Sequence, residues 1–484
     1  MLLSHDPYRP SLHFTAPYGW LNDPNGLVYV NQEWHLFYQY YPHGNKWNDM
    51  HWGHAVSRDL TEWKHLPIAL KPNELGVCFS GSCVIDTDNV TGFFEDGDLN
   101  MVAFYTNTLG ISLNQADGLQ MNSIASSKDG VTFDQHIPLN PIIANPGKKD
   151  YRDPKVVWHA KANHWNLVIS EGEEIGIYSS TDLKSWTKES VWGEGESIHN
   201  NSAWECPDLF PITDDQGVER WVLVMGIIKR NEYAPGSGTH YVIGDFDGKT
   251  FTNLNTADTV LWLDYGRDFY ATQSWSNAPD DRHIAIAWMS NWMYANDVPA
   301  TSHRSAMSFP RELSLVTTAD GLRMKQTFPL DGLVQTTPAA QGQTVLTAMR
   351  SVDVMAPEVA GHITFALSYS NDLDIELKPF GHDELTYRIT SQGNDIVVRT
   401  ARRVGVEGDE AYQKNFAHSN EFRFKQSDEL RFELVRDVTS CEILFDSGLA
   451  STTELLFTEQ VGALQLHNHG SDIVITTSEQ RVKG

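Results

Sequence analysis

Asp59–Trp63 reads DLTEW, and the same pattern returns as DGVTF at Asp129, DLKSW at Asp182 and DGKTF at Asp247. Each is Asp, then Leu or Gly, two residues, then Trp or Phe. These stretches trail a second recurrent unit, a polar or acidic cluster that runs into a strand, a turn and another strand. The unit appears as NDPNGLVYV from Asn22, FSGSCVID from Phe79, RDPKVVWHA from Arg152, ECPDLFPIT from Glu205 and RDFYATQSW from Arg267. Measured at Asp23, Ser80, Asp153, Glu205 and Asp268, the spacings are 57, 73, 52 and 63 residues. A degenerate repeat of about 60 residues, in a chain of short β-branched and aromatic runs, suits one four-stranded propeller blade with its loops. Five units predict a five-bladed β-propeller; the competing reading is a β-sandwich whose turns happen to look alike.

Outward from the repeat, helical periodicity is scarce and the class is all-β. Residues 27–40 (LVYVNQEWHLFYQY) read as a hairpin around the polar turn Asn31–Glu33. After Pro329 the texture changes. Residues 334–345 (VQTTPAAQGQTV) have linker composition. Beyond them HITFALSYS, LDIELKPF and LRFELVRD alternate with period two, as half-buried antiparallel strands do. The expected division is a propeller over 1–333, a linker over 334–345 and a β-sandwich over 346–484.

Lys plus Arg number 36 against 63 for Asp plus Glu, a net charge of −27. Such a surface repels phosphate backbones and anionic lipid, which argues against nucleic-acid or membrane partners and leaves a neutral small-molecule substrate unpenalised. No run approaches the ~20 apolar residues of a membrane span. Residues 1–10 (MLLSHDPYRP) hold no signal-peptide core, so the expectation is a cytoplasmic protein, or a secreted one whose leader has been removed. Cys78, Cys83, Cys206 and Cys441 lack metal-ligand spacing and are expected as free thiols. Sequons at Asn89 and Asn200 occur at about chance frequency and decide nothing.

The propeller turns scattered acids into a site. The first strand of each blade lines the central channel, so Asp23, Asp153 and Glu205 converge although far apart in sequence. Asp-Pro and Asn-Gly in Trp20–Gly26 also read simply as turn formers. The recurrence of an acid beside proline in RDP and ECP weakens that reading. Retaining glycoside cleavage needs two carboxyl groups about 5–5.5 Å apart, one to attack and one to move protons. Crowding raises one of their pKa values. His51 and His54 read as histidines on a loop and a strand bonding backbone rather than as a metal pair. No metal and no cofactor is called for.

With those motifs in order, the sequence resembles the β-fructofuranosidases of glycoside hydrolase family 32, the invertases, exo-inulinases and levanases. WLNDPNG (Leu21 where Met is usual), FSGS, RDP, ECP, YGRDFYA (Tyr265–Ala271) and FPREL (Phe309–Leu313) carry the resemblance. It implies a retaining enzyme that releases terminal β-D-fructofuranosyl residues from sucrose, fructo-oligosaccharides and fructans such as levan or inulin. It assigns Asp23 as nucleophile, Glu205 as acid/base and Asp153 as transition-state stabiliser. Asn22, Gln39, Trp47, Phe79, Ser80, Arg152 and Trp288 match positions around the terminal fructosyl unit; core packing is the other reading of the three aromatics. Cys206 helps set the environment of Glu205, or is a plain buried small residue. An inverting arabinanase or xylosidase on the same fold, fructosyl transfer and a non-catalytic sugar-binding propeller are the competing readings. The sandwich either braces the propeller or forms a homodimer contact that narrows the pocket.

Overall fold

The structure is a computed structural model that describes every residue except 1–5, 110–117, 194, 199–201, 231–234, 338–341, 357–359, 370–371, 428 and 484. The sequon at Asn200 lies outside the described residues. The chain is all-β: five antiparallel sheets follow one another between Gly19 and Thr327, and two larger sheets occupy the remainder. Their leading strands are Gly19–Val30, Val77–Ile85, Arg152–His159, Trp204–Thr213 and Tyr270–Ser274. Each leading strand packs against the next, and the fifth packs against the first, so the sheets form a ring. His303–Arg304 pairs in parallel with Gly19–Trp20 and ties the last repeat to the first. This is a β-propeller followed by a β-sandwich.

The DLTEW-type turns join third to fourth strands, and their residue pattern has a local cause. One carboxylate oxygen of Asp59, Asp129, Asp182 and Asp247 accepts the backbone N–H groups two and three residues on, at 2.7 to 2.9 Å. This turn forces the next residue into the left-handed region, with φ of 66°, 74°, 60° and 90° at Leu60, Gly130, Leu183 and Gly248. Glycine accepts that conformation freely. Leu60 and Leu183 accept it while burying their side chains almost completely. The second sheet departs from the four-strand expectation: after its turn, Asp134 only bridges Ser126, and three strands are described. The hairpin turn is Asn31–Gln32, both at positive φ, with Glu33 already paired to Val30.

The linker expected over 334–345 carries strand instead. Leu333–Thr337 and Gly342–Leu346 both pair with the long C-terminal strand Ile473–Lys483, which offers more edge than one short partner covers. The propeller and sandwich meet through buried charge rather than grease alone. Arg311 bonds Asp264 and Glu442 at 3.0 and 2.8 Å, and His13 is held between Asp437 and Glu442 at 2.8 Å each. Around them Leu12, Phe309 and Phe328 pack on Val435 and Leu444. All four cysteines are free and buried. No helix among the described residues is long and apolar enough to cross a membrane.

Candidate active site

All five leading strands slip register at the same point. The pairing skips a residue pair after Leu21, Cys78, Arg152, Glu205 and Tyr270. A bulge re-aims the side chains around it and stops regular pairing. Asp153, Cys206 and Ala271 open three of the bulges at φ of 65°, 49° and 52°, conformations that residues with a side chain seldom take. Asp23 and Ser80 fall second in their bulges, Asp153 first, and Glu205 one position before. The blade starts are thus staggered by up to a few residues, which degenerate spacing could not reveal. Asp268, counted with them in the sequence, faces elsewhere: it pairs with Arg402 and Tyr294 at the contact with the sandwich.

The bulges gather the three acids. Ser80 Oγ donates to Asp23 Oδ2 at 2.7 Å and the Cys206 thiol donates to the same oxygen at 3.4 Å. Asp23 Oδ1 is itself buried, beside Asn22. The Cys206 N–H donates to Asp153 Oδ2 at 2.9 Å, so this cysteine bonds Asp23 and Asp153 rather than Glu205. Arg152 donates from Nε and Nη2 to Glu205 Oε1 at 3.2 and 3.0 Å, and lies 3.9 Å from Asp153. Its Nη1 holds Asp150 at 2.6 Å and Gln120 at 3.3 Å. The Tyr270 hydroxyl donates to Glu205 Oε2 at 2.7 Å.

Electrostatics follow from this crowding. Burial, then repulsion from Glu205, raises the Asp23 carboxyl above its ordinary value. Burial lifts Asp153 to about 7; Arg152 opposes the rise, while Glu205 and Asp23 add to it. Burial and the Glu205 charge push the Tyr270 hydroxyl far up, so it acts here only as a donor. Burial and Asp153 do the same to the Cys206 thiol.

Of the other residues singled out from sequence, Phe79 and Trp47 are half-buried and meet edge to face at 6.0 Å, forming an aromatic wall. Asn22 accepts from Trp20 Nε1 at 2.7 Å and is nearly buried. Gln39 spends its amide N–H groups on Asn25 and the Cys78 carbonyl, at 2.8 and 3.1 Å. Trp288 is 0% exposed, packed against Tyr270, Trp20 and Trp292, so it supports these aromatics rather than presenting a face. Half-buried Trp292 and the buried Tyr270 and Gln120 were not singled out from sequence. Tyr270 had a signal: it lies inside YGRDFYA and takes the same register as Arg152 and Glu205.

His51 and His54 share one strand and part company. His51 bonds the Asp49 carbonyl at 2.9 Å, whereas buried His54 meets His35 at 3.0 Å instead of backbone. No group of three His, Cys, Asp or Glu among the described residues has the arrangement to hold a metal ion. A cavity of about 1250 Å³ opens at the opposite ends of the leading strands, around Trp158, Pro211 and Asn277. Beside Asp153, Pro24, Ser80, Pro154, Cys206 and Gln273 leave a gap too tight for water.

Residues 13–326 match the model of the glycosyl hydrolases family 32 N-terminal domain. The chain is 48% identical over 327 residues to a levanase of Bacillus subtilis, covering 66% of this chain and 47% of that protein. It is 40% identical over 343 residues to an extracellular exo-inulinase of Aspergillus ficuum, covering 64% of this chain and 63% of the other. The chain thus spans between about half and just under two thirds of these relatives. Among solved structures, exo-inulinase from Aspergillus awamori superimposes with a TM-score of 0.86 at 27% identity, over 100% of this chain and 99% of that one. Fructofuranosidase from Schwanniomyces occidentalis complexed with fructose gives 0.82 at 27% identity, over 98% and 100%.

Proposed function

Because the chain belongs to family 32 of the glycosyl hydrolases, we propose that it is a β-fructofuranosidase releasing terminal fructose from sucrose, fructo-oligosaccharides and fructans by a retaining double displacement. The observation that carries this reading is the convergence of three carboxyl groups from three leading strands, each held by its own donors. Asp23 is held through Oδ2 by Ser80 and Cys206, Asp153 by the Cys206 N–H, and Glu205 by Arg152 and Tyr270, which fixes a carboxylate nucleophile beside a proton carrier. Asp23 is the nucleophile, Glu205 the acid/base and Asp153 the stabiliser of the oxocarbenium-like transition state.

Burial and mutual repulsion keep proton affinity high at Asp23 and Asp153, while Arg152 and Tyr270 aim donors at Glu205. A bound fructosyl unit brings hydroxyl donors to Asp153 and Asp23, which favours their ionised forms. Glu205 then protonates the leaving oxygen as Asp23 forms the glycosyl ester, and deprotonates the water that cleaves it. The wall of Trp47 and Phe79 suits the apolar face of a furanose, and Ser80, Asn22 and Arg152 suit its polar edge and the acids that bind it. Gln39 and Trp288 support this shell from behind.

The five sheets of the ring are read as five blades, and the division from the sandwich is placed after Phe328. Names such as levanase, exo-inulinase and invertase among the relatives support exo action on fructans and sucrose, and the extracellular exo-inulinases support secretion. A homodimer through the sandwich stays within this reading.

Asp23→Asn and Glu205→Gln are each expected to lower sucrose hydrolysis about a thousandfold or more without loss of fold. NMR of the first-formed product should show the β-anomer of fructose, and inulin and levan should yield free fructose. Near-normal turnover in either folded variant, or an α-anomer, overturns the assignment.

A further inference from the structure

Trp47 sits on a stretch whose anchors all lead to one place. Asn45 Nδ2 donates to the Thr301 carbonyl at 3.2 Å, Lys46 reaches Asp297 at 3.1 Å, and the Trp47 backbone N–H donates to Asn296 Oδ1 at 2.9 Å. Three consecutive residues are thus tied to the excursion between the strands Ile284–Met289 and Ala306–Met307. That excursion is stiff: the Arg304 guanidinium donates to the carbonyls of Asn296, Val298 and Ala300.

Its own anchor lies in the sandwich. Tyr294, two residues before Asn296, is 1% exposed; its hydroxyl donates to Asp268 and accepts from Arg402 Nη2 at 2.8 Å. The Tyr294 ring lies edge-on to Phe416 at 5.1 Å. Asn415 Nδ2 donates to the Met293 carbonyl at 3.2 Å, and Asp409 reaches the same Lys46 that Asp297 holds. Arg402, Asp409, Asn415 and Phe416 all belong to the sandwich part of the chain, as does Glu454, the second buried carboxylate on Arg402 at 2.8 Å. Buried ionic partners of this kind have one good geometry, so they locate Tyr294 more sharply than apolar packing would.

We propose that Asn296 is a positioning residue for Trp47, itself located through Tyr294 by the sandwich, so that the second unit sets the shape of the fructosyl pocket without touching the sugar. The substrate part of this statement rests on the proposed function; the mechanical part does not. A small rotation at Tyr294 would carry Asn296 with it, tilt the indole against Phe79 and open the wall. The sandwich thereby gains a catalytic consequence beyond bracing the propeller.

The test uses the whole chain and two readouts. Amide hydrogen exchange at residues 45–48 should speed up about fivefold in Asn296→Ala, the loss expected for one hydrogen bond, and recover in Asn296→Asp, which keeps an acceptor. Tyr294→Phe, which retains the ring against Phe416, should also speed exchange there. With sucrose, Asn296→Ala should raise KM about fivefold with kcat within about twofold, and Asn296→Asp should restore KM. Unchanged exchange in Asn296→Ala overturns the tie to Trp47. Unchanged exchange in Tyr294→Phe overturns the part given to the sandwich. Equal loss in kcat and KM with a lowered melting temperature shows general destabilisation and overturns positioning. A parent chain inert on sucrose defeats the functional reading, while the exchange data still decide the linkage.

Discussion

Asp153 carries the clearest conflict between function and stability at the scale of one residue. It is 5% exposed, occupies a left-handed bulge position and shares its surroundings with Asp23 and Glu205. Its folded pKa of about 7 lies above the unfolded value of 3.8, so the folded chain binds a proton there more tightly than the unfolded chain does. Stability from this group therefore falls as pH rises from about 4 to about 7, and above that the buried anion is a standing cost. Asp153→Asn removes the cost and keeps an acceptor for the Cys206 N–H. The variant should melt higher than the parent at pH 8, by roughly 2–4 kcal/mol in stability, with the gain shrinking by pH 5. Thermal scans at the two pH values check this; an equal or lower melting point at pH 8 refutes it. Its sucrose turnover should fall steeply at every pH.

At the scale of the element, the Asx-type turns explain why so short a pattern marks the repeat. The Asp182 carboxylate accepts two backbone N–H groups, and Ser180 Oγ donates to it at 3.1 Å. Asp182→Ala leaves those donors to water in a turn whose next residue, Leu183, is already at φ 60°. The expected loss is about 1–2 kcal/mol, read as a lower urea midpoint, with activity per folded molecule unchanged. These turns were legible because their chemistry is local: one side chain bonds backbone two and three residues away. The bulges were not. A bulge exists only relative to a partner strand, so the stagger that places Glu205 opposite Arg152, and Asp153 one step beyond, follows from pairing across the sheet. The strands within 334–345 went unread for a related reason, since only the distant strand Ile473–Lys483 makes them strands.

The whole molecule is held at the propeller–sandwich contact by groups with opposite pH responses. Burial opposes protonation of His13, but Asp437 and Glu442 outweigh it and raise its pKa to about 9. That contribution is full below the unfolded value of 6.5 and is lost as pH rises through about 9. Asp437, held low by His13, contributes above its ordinary range and loses that as pH falls. Stability of the parent should therefore decline between pH 7 and pH 9.5, and His13→Asn should flatten this slope in denaturant titrations. Arg311→Met leaves Asp264 buried without its cation and Glu442 with His13 alone, and should cost about 3–5 kcal/mol. If Arg311→Met is as stable as the parent, the contact is not held by charge.

The sequence by itself determined the all-β class, the repeat near 60 residues, the acids Asp23, Asp153 and Glu205, and the family resemblance, because turn chemistry and hydrophobic alternation act over a few residues. Tertiary structure alone decided how the Asp23 carboxylate is held, why Cys206 serves Asp23 and Asp153, why Trp288 is buried behind Tyr270, and how Tyr294 and Asn296 connect the sandwich to Trp47. Those outcomes depend on side chains brought together across gaps of tens to hundreds of residues. Their register, burial and mutual charge do not exist until the ring of sheets has closed.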